Sequence, residues 1–350
     1  MRGVAVMEPS CRPAQPCAGG LVLSNKLRGR LARVLGTMCM VTHDPDADRF
    51  ISKDILSRGT YGHADTFATV FAAMPGSLML DVGANIGFHT LQALALGLHT
   101  VSFEPHPHNA ALLQSSLQRN CIAPGRAALV QAAASNATET LTLSMHPFSP
   151  GMSSLADKRA IPLPMGGEGR EFVVDVTSVD RAVSDRCAAD WPLKISLMKV
   201  DVEGFEERAL RGATKLLDGS LRCKNGGRLA PPAFVHIEVF PMLLRAAGSD
   251  PAEPLRILAK NYRLFVAVGG GQGGRVSPSV QSAWQQLGAR PSGAALELPA
   301  HALTRFVDAI AAQKPPHVDF MAQRRQPPVP AALDLRANAS AWGSRPFTRP

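Results

Sequence analysis

Residues 78–87, Leu-Met-Leu-Asp81-Val-Gly83-Ala-Asn85-Ile-Gly87, constrain this chain more than any other stretch. An apolar run ends in an acid and a glycine, and a second glycine opens a helical pattern over residues 88–98. Such a strand–turn–helix unit must bury its apolar side against a neighbour, and the next segments supply one. Residues 100–104 read as a second strand, 107–120 as a helix with Pro107 in its first turn, and 128–134 as a third strand. Further on, 196–201, 233–239 and 263–268 read as strands, and 205–217 and 254–260 as helices. This alternation predicts an α/β fold: a doubly wound, Rossmann-like, mostly parallel sheet with helices on both faces.

The flanks carry weaker patterns. Phe67, Val70, Phe71 and Met74 recur at three and four, so 61–74 predicts an amphipathic helix that Pro75-Gly76 ends. Residues 138–145 and 171–177 alternate like partly exposed strands, and the Pro-, Gly- and Ser-rich segment 146–169 between them reads as a long loop. Within it, Ser153 and Ser154 are placed to touch a cofactor or acceptor, but a plain surface loop is the preferred reading. Five glycines in the six positions 269–274 suggest a flexible hairpin or lid. The expected organisation is a basic extension over 1–50, one domain over 51–322, and a Pro- and Arg-rich, disordered tail over 323–350.

A net charge of +9 over 350 residues raises the question of nucleic acid. Its placement argues against it. Residues 78–265 hold 19 basic and 18 acidic side chains, whereas 1–77 hold 9 and 6, and 266–350 hold 9 and 4. A polyanion groove needs its cations on the folded body, and an aromatic content of 5% leaves few stacking platforms. No apolar run reaches the roughly 18–20 residues of a membrane span. Arg2, Arg12, Lys26, Arg28, Arg30 and Arg33 against one acid, Glu8, resemble an organelle transit leader, so an intracellular site, cytoplasmic or organellar, is expected. Cys11, Cys17, Cys39, Cys121, Cys187 and Cys223 show neither a disulfide-scaffold density nor metal-ligand spacing, and reduced thiols are expected.

Three carboxylate clusters sit at predicted strand ends, the edge where open α/β sheets collect ligands. In the first, Gly83, Ala84, Asn85 and Gly87 shape a turn led by Asp81. Glu104, 23 residues after Asp81, can accept both hydroxyls of a ribose. A dinucleotide turn would carry G-x-G-x-x-G, but Asn85 stands at its second glycine and an acid leads the turn. That charge repels a pyrophosphate and suits the ammonium of S-adenosylmethionine. Asp201 and Glu203 follow the 196–201 strand, and Glu238 closes the 233–239 strand; these can hold an amino group, a hydroxyl or a metal. No metal-ligand set is assigned. Glu206 and Glu207 read as helix N-terminal acids, and His236 as a satisfied core histidine.

These residues resemble the FkbM family of S-adenosylmethionine-dependent methyltransferases. Its D-V-G-A-N-I-G motif, followed by an aromatic and a threonine, is Asp81 to Gly87, Phe88, His89 and Thr90. Its F-E-P-N-P motif is Phe103-Glu104-Pro105-His106-Pro107, with Asn120 in the closing position and Ser116 replacing an inner Asn. Its K-I-D-V-E-G-x-E motif is Lys199 to Glu206, followed by Leu210-Arg-Gly212-Ala213. Thr177-Ser178-Val179-Asp180 stands for T-L-D. The resemblance spans about residues 61–268. It implies a class I methyltransferase fold, S-adenosylmethionine as cofactor, and methyl transfer to a hydroxyl of a small molecule or sugar. Asp81, Gly83, Ala84, Asn85, Gly87, Phe88, Glu104, Pro105, Ala132 and Ala133 are then the cofactor-binding candidates. Asp201 is the first candidate for the base or for acceptor binding, with Glu203 and Glu238 next. The competing readings are a NAD(P)-linked oxidoreductase, disfavoured by the missing third glycine, and a cofactor-binding module without turnover.

Overall fold

The structure is a computed structural model that describes residues 21–22, 38–46, 48, 51–146, 149–156, 170–187, 191–224, 226–267, 280, 282–283, 296–312, 318–326, 329 and 333–335. The glycine run at 269–274, most of the 1–50 extension and most of the 323–350 tail lie outside the described residues.

After a two-residue antiparallel pairing of Leu21–Val22 with Cys39–Met40 come helices α1 (Ser52–Arg58) and α2 (Ala64–Ala73). Three strand–helix steps follow: β1 (Leu78–Val82), α3 (Phe88–Ala95), β2 (His99–Phe103), α4 (Pro107–Arg119) and β3 (Ala127–Val130). Short β4 (Ala133–Ala134), β5 (Glu139–His146), β6 (Ser149–Ser154) and β7 (Glu171–Thr177) come next, then α5 (Val179–Arg186). The second half holds β8 (Ile195–Val200), α6 (Glu206–Arg211), α7 (Thr214–Asp218), β9 (Phe234–Val239), α8 (Pro241–Ala246) and α9 (Glu253–Ala259). It ends with β10 (Tyr262–Val266), β11 (Leu296–Leu298), α10 (Leu303–Ala311) and β12 (Val318–Arg324).

Eight strands form the main sheet in the order β11-β10-β12-β9-β8-β1-β2-β3. Strands β3, β2, β1, β8 and β9 pair in parallel. Strand β12 runs antiparallel between β9 and β10, and β11 pairs antiparallel on the edge. The expected doubly wound α/β class is the one found. Strands β1 and β8 are buried at every position, which is why they read as apolar runs, while β7 alternates in burial as its sequence alternates. One sheet face packs Leu80, Val82, Val200 and Ile237 against the later helices; the other packs Met79, Leu197, Phe234 and Met321 against Phe67, Val70 and Phe71 of α2.

Several details differ from the sequence reading. The predicted third strand splits: Ala132 N–H donates to the Val130 carbonyl at 2.8 Å, and this three-residue γ-turn sends Ala133–Ala134 into a second sheet, ordered β4-β7-β5-β6. The predicted long loop contains a strand, β6, whose backbone pairs with β5; pairing overrides the Pro and Gly content there. The predicted 205–217 helix breaks into α6 and α7 around Gly212-Ala213. Strand β12 and the amphipathic helix α10 lie where no element was predicted. Leu333 and Leu335, from the segment expected to be a disordered tail, are buried beside Phe67 and Phe71.

The reduced-thiol expectation does not hold. Cys187, at the end of α5, forms a disulfide with Cys223, their Cα atoms 5.3 Å apart. Cys39 and Cys121 are also disulfide-bonded. Sequence spacing gave no sign of the first pair, because the fold alone brings two positions 36 residues apart together. Among the described residues no helix is long and apolar enough to cross a membrane.

Candidate functional site

Strand order reverses between β1 and β8, where the chain winds out through β2 and β3 and then crosses back. Ligands in open α/β sheets bind outside the carboxyl ends of strands at such a switch point. Here the chains leaving β1 and β8 touch: Asp201 N–H donates to Val82 O at 3.0 Å, and a Cβ on Gly83 would lie 1.7 Å from Asp201 O. Only glycine fits at that approach, with φ at +85°.

Beyond Gly83, the turn is built on the neighbouring strand. Gly83 and Ala84 N–H groups both donate to Phe103 O, at 3.0 and 2.9 Å. Asn85, left-handed at φ 53°, donates its N–H to Glu104 Oε2 at 2.8 Å. Glu104 Oε1 accepts from His106 N–H at 2.9 Å and from the Asn109 amide at 3.4 Å. Burial raises the Glu104 pKa to about 7 despite these donors. Gly87 starts α3 at φ 89°, where a Cβ would meet Leu113 of α4 at 2.2 Å.

A charge chain crosses the adjacent strands. Register aligns Asp81 with Lys199, and Lys199 with His236. The buried Lys199 ammonium lies 3.2 Å from Asp201 Oδ2 and 3.7 Å from Asp81 Oδ1, and donates to Gly83 O at 2.8 Å. Burial lowers the Lys199 pKa, but Asp201 and Asp81 outweigh it and the net shift is upward. Asp81 Oδ2 accepts from Thr90 Oγ1 at 2.6 Å. Burial raises the Asp81 pKa against the opposing pull of Lys199 and Thr90.

Two cavities meet at this edge. A cleft is lined by Glu104, Pro105, Phe103, Asn109, Ala132 and Ala133 on one side, and by Val202 and Phe205 on the other. A second cavity, ≈ 280 Å³, is lined by Ile51, Tyr61, Ala84, Phe88, His89, Lys199 and Glu238. Gly83, Asn85, Asp201 and Glu203 line both. Glu203 and Glu238 have pKa values raised well above the carboxylate range, by burial first and then by Asp201. Burial and the nearby Asp201 and Glu238 also push the Tyr61 hydroxyl up, and burial holds His89 neutral, its pKa about 3.

Of the sequence candidates, Gly83, Asn85, Glu104, Pro105, Ala132 and Ala133 line the cleft. Ala84, Phe88 and Glu238 line the second cavity, and Asp201 and Glu203 stand at the junction. Asp81 is 1% exposed and lines neither; it reaches the site through Lys199. Gly87 acts as a packing position under α4. Glu206 is a turn cap, accepting from Val202 and Gly204 N–H groups at 3.1 Å, and Glu207 pairs with Arg211 at 2.8 Å on the surface. Asn120 and Ser116 of α4 instead hold the segment before α1: Asn120 Oδ1 accepts from Cys39 N–H at 2.7 Å, and Ser116 Oγ from Val41 N–H at 2.9 Å.

Sequence reasoning missed Leu143 and Leu155, which wall the cleft beside Ser153, a residue that the sequence allows at a ligand but that reads first as surface loop, and Ile51 and Tyr61, which wall the cavity from the N-terminal side. Ser154 donates to Glu203 O at 2.6 Å. A β-strand pairing inside a Pro- and Gly-rich segment left no periodic signal at Ser153 and Leu155, whereas Leu143 lies in the predicted 138–145 strand, whose alternation says nothing of a cleft. The expectation that His236 is a satisfied core residue also differs from the structure. It is buried, yet neither ring nitrogen has a hydrogen-bond partner among the described residues.

Residues 81–242 match the family model described as Methyltransferase FkbM domain. No curated protein is significantly similar to the chain. Among solved structures, a methyltransferase FkbM from Methylobacillus flagellatus KT shares 18% identity at a TM-score of 0.34, over 57% of this chain and 44% of that one. The chain thus spans less than half of that protein's length. A precorrin-6y C5,15-methyltransferase from Geobacter metallireducens shares 14% identity at a TM-score of 0.29, covering 57% of this chain and 70% of the other. The plantazolicin methyltransferase BpumL, solved in complex with SAH, shares 10% identity at a TM-score of 0.30, covering 75% and 83%.

Proposed function

We propose that this chain, whose residues 81–242 match the methyltransferase FkbM domain, is an S-adenosylmethionine-dependent methyltransferase that methylates a hydroxyl of a small molecule or sugar. The observation that carries the reading is the junction: the glycine turn after β1, Glu104 after β2 and Asp201 after β8 line one cleft, and that cleft shares Asp201 and Glu203 with a second, acid-walled cavity. The residues present fit the cofactor. Glu104 is spent on three N–H donors, yet a carboxylate has lone pairs for more and can accept from a ribose diol. Ala132 and Ala133 offer small apolar walls to a purine, and acids rather than Lys or Arg dominate the shared junction, as a sulfonium and an ammonium require.

Bound S-adenosylmethionine supplies an electrophilic methyl group on a cationic sulfur, whose departure needs no acid. The chain must then align an acceptor oxygen and remove its proton. Asp201 is placed for both tasks at the junction of the cavities, with Lys199 fixing its carboxylate at 3.2 Å. Glu203 and Glu238 complete an acidic rim for a polyhydroxyl acceptor. Asp81 is a positioning residue: it holds Lys199, which in turn holds Asp201 and the Gly83 carbonyl. Calorimetry with S-adenosylmethionine and S-adenosylhomocysteine tests the cofactor, and methyl transfer from labelled cofactor into a library of hydroxyl compounds tests the acceptor class. Absence of cofactor binding at millimolar ligand overturns the first; labelling confined to amines or thiols overturns the second.

A further inference from the structure

Behind the acceptor cavity lies a cluster that the methyl-transfer reading does not use. His63 immediately precedes α2, His236 stands in β9 and Asp319 in β12. The two imidazoles lie on either side of one carboxylate: His63 Nε2 is 3.1 Å from Asp319 Oδ2, and His236 Nε2 is 3.4 Å from Asp319 Oδ1. One ligand atom from each residue can be chosen so that all lie within 4.8 Å of one another. His63 is 8% exposed and His236 3%.

Hydrogen bonding alone does not account for this arrangement. Among the described residues, neither nitrogen of His236 nor Nδ1 of His63 finds a hydrogen-bond partner. The His236 ring lies 4.5 Å, centroid to centroid, from His63 and 5.0 Å from Phe67, so its surroundings are an imidazole and a phenyl ring. Leaving buried imidazole nitrogens unsatisfied is costly, because their lost bonds to water are not replaced. Two metal bonds of about 2.0–2.1 Å at a tetrahedral angle hold their donor atoms about 3.4 Å apart, and the two His–Asp separations bracket that value.

We propose that His63, His236 and Asp319 bind one divalent transition-metal ion. Two neutral imidazoles and one carboxylate suit the borderline ions such as Zn²⁺, Fe²⁺ or Co²⁺, and not Mg²⁺ or Ca²⁺, which take oxygen donors. The ion acts as a clasp. Its ligands come from three separate elements, and one of them, His63, ends the segment that carries Ile51 and Tyr61 along the acceptor cavity. Bound metal fastens that segment to β9 and β12, and the sequence gives no hint of it, because the ligands lie at positions 63, 236 and 319.

The test uses the full chain without a histidine tag, stripped with a chelator, and titrated with Co²⁺ and with Zn²⁺ alone. The expected result is saturable uptake of one ion per chain, with Co²⁺ ligand-field bands in the visible and no thiolate charge-transfer band in the near ultraviolet. Asp319→Asn and His236→Gln should each weaken Zn²⁺ binding at least about tenfold, while S-adenosylhomocysteine affinity stays within about twofold. A thiolate band, no saturable uptake, or unchanged affinity in both folded variants overturns the proposal. Should a variant fail to fold, the Co²⁺ spectrum of the unaltered protein still decides, since nitrogen–oxygen ligation and cysteine ligation differ there. Loss of metal binding with intact S-adenosylhomocysteine binding separates this inference from the methyltransferase reading.

Discussion

The proposed cofactor wall and the proposed acceptor wall of the site both bury carboxylates, but they satisfy them differently. On the cofactor side, Glu104 accepts from the backbone of Asn85 and His106, and Glu206 from that of Val202 and Gly204. On the acceptor side, side chains answer side chains: Lys199 faces Asp201 and Asp81, and His63 and His236 face Asp319. Backbone donors are set by local turns and stay where the turns put them. Side-chain partners come from distant parts of the chain and can be exchanged without rebuilding a strand.

Asp201, where the walls meet, offers the strongest test of that contrast. Asp201→Asn should lower kcat by about 10²–10⁴, the usual contribution of a positioned base, with S-adenosylhomocysteine affinity moving less than tenfold. Equal losses in turnover and cofactor affinity would assign Asp201 to the cofactor wall instead.

The rigid wall should also resist a methyl group more than the adaptable one. At Gly83, a Cβ would collide with the Asp201 carbonyl at 1.7 Å, which is backbone and cannot swing away. At Gly62, also left-handed, the nearest atom is the side-chain His89 Nε2 at 3.2 Å. Gly83→Ala should cost about 3 kcal/mol or more, combining overpacking with a positive φ, and Gly62→Ala about 1 kcal/mol. Denaturant unfolding of the two variants measures the difference; equal costs would mean that the β1–β8 junction yields as easily as the acceptor side.

The same division explains what could be read from the sequence. Asp81 to Gly87 and Asp201 to Glu206 are contiguous runs and Glu104 ends a strand, because strand ends and turns are local, so the meeting of these segments at one sheet edge was legible. The second cavity was half legible: Glu238 ends a strand, but Ile51 and Tyr61 reach it only through packing of the segment before α2, and the His63–Asp319 cluster beyond it forms only through the antiparallel insertion of β12. Strand β12 sits in a Pro- and Arg-rich region, and its place between β9 and β10 is a matter of long-range pairing that no local pattern encodes. Ser153 reads first as surface loop for a related reason, since β6 takes its strand form from β5 rather than from its own residues.

Glu104 provides a smaller and pH-dependent test of the backbone-held wall. Its pKa is raised from 4.5 to about 7, so between those values the folded chain keeps a proton that the unfolded chain has lost. This group's contribution to stability therefore falls as pH rises through that window, and Glu104→Gln should remove that part of the slope. Ligand binding runs the other way, because the anion is the better acceptor for a ribose diol. S-adenosylhomocysteine should bind about tenfold more tightly at pH 8 than at pH 6, following the ionised fraction of a group titrating near 7. Glu104→Gln should weaken binding at pH 8 by about 10–100-fold, the loss of a charge-assisted hydrogen bond, and flatten the pH dependence. Undiminished binding in that variant would remove Glu104 from the ligand.

The smallest effect is expected where the second sheet touches the junction. Ser154 Oγ donates to Glu203 O at 2.6 Å and accepts from Ala156 N–H at 3.1 Å, tying β6 to a residue held at φ 51°. Ser154→Ala removes two neutral hydrogen bonds and should cost about 1–2 kcal/mol, a fall in Tm of about 2–8 °C for a domain of this size. The Glu203 backbone is also fixed by its neighbours, since Gly204 N–H is held by Glu206 and Asp201 N–H by Val82. Cofactor affinity should accordingly change less than about threefold. A tenfold loss would instead make β6 part of the ligand-holding surface, and the cofactor wall would then depend on a distant strand just as the acceptor wall does.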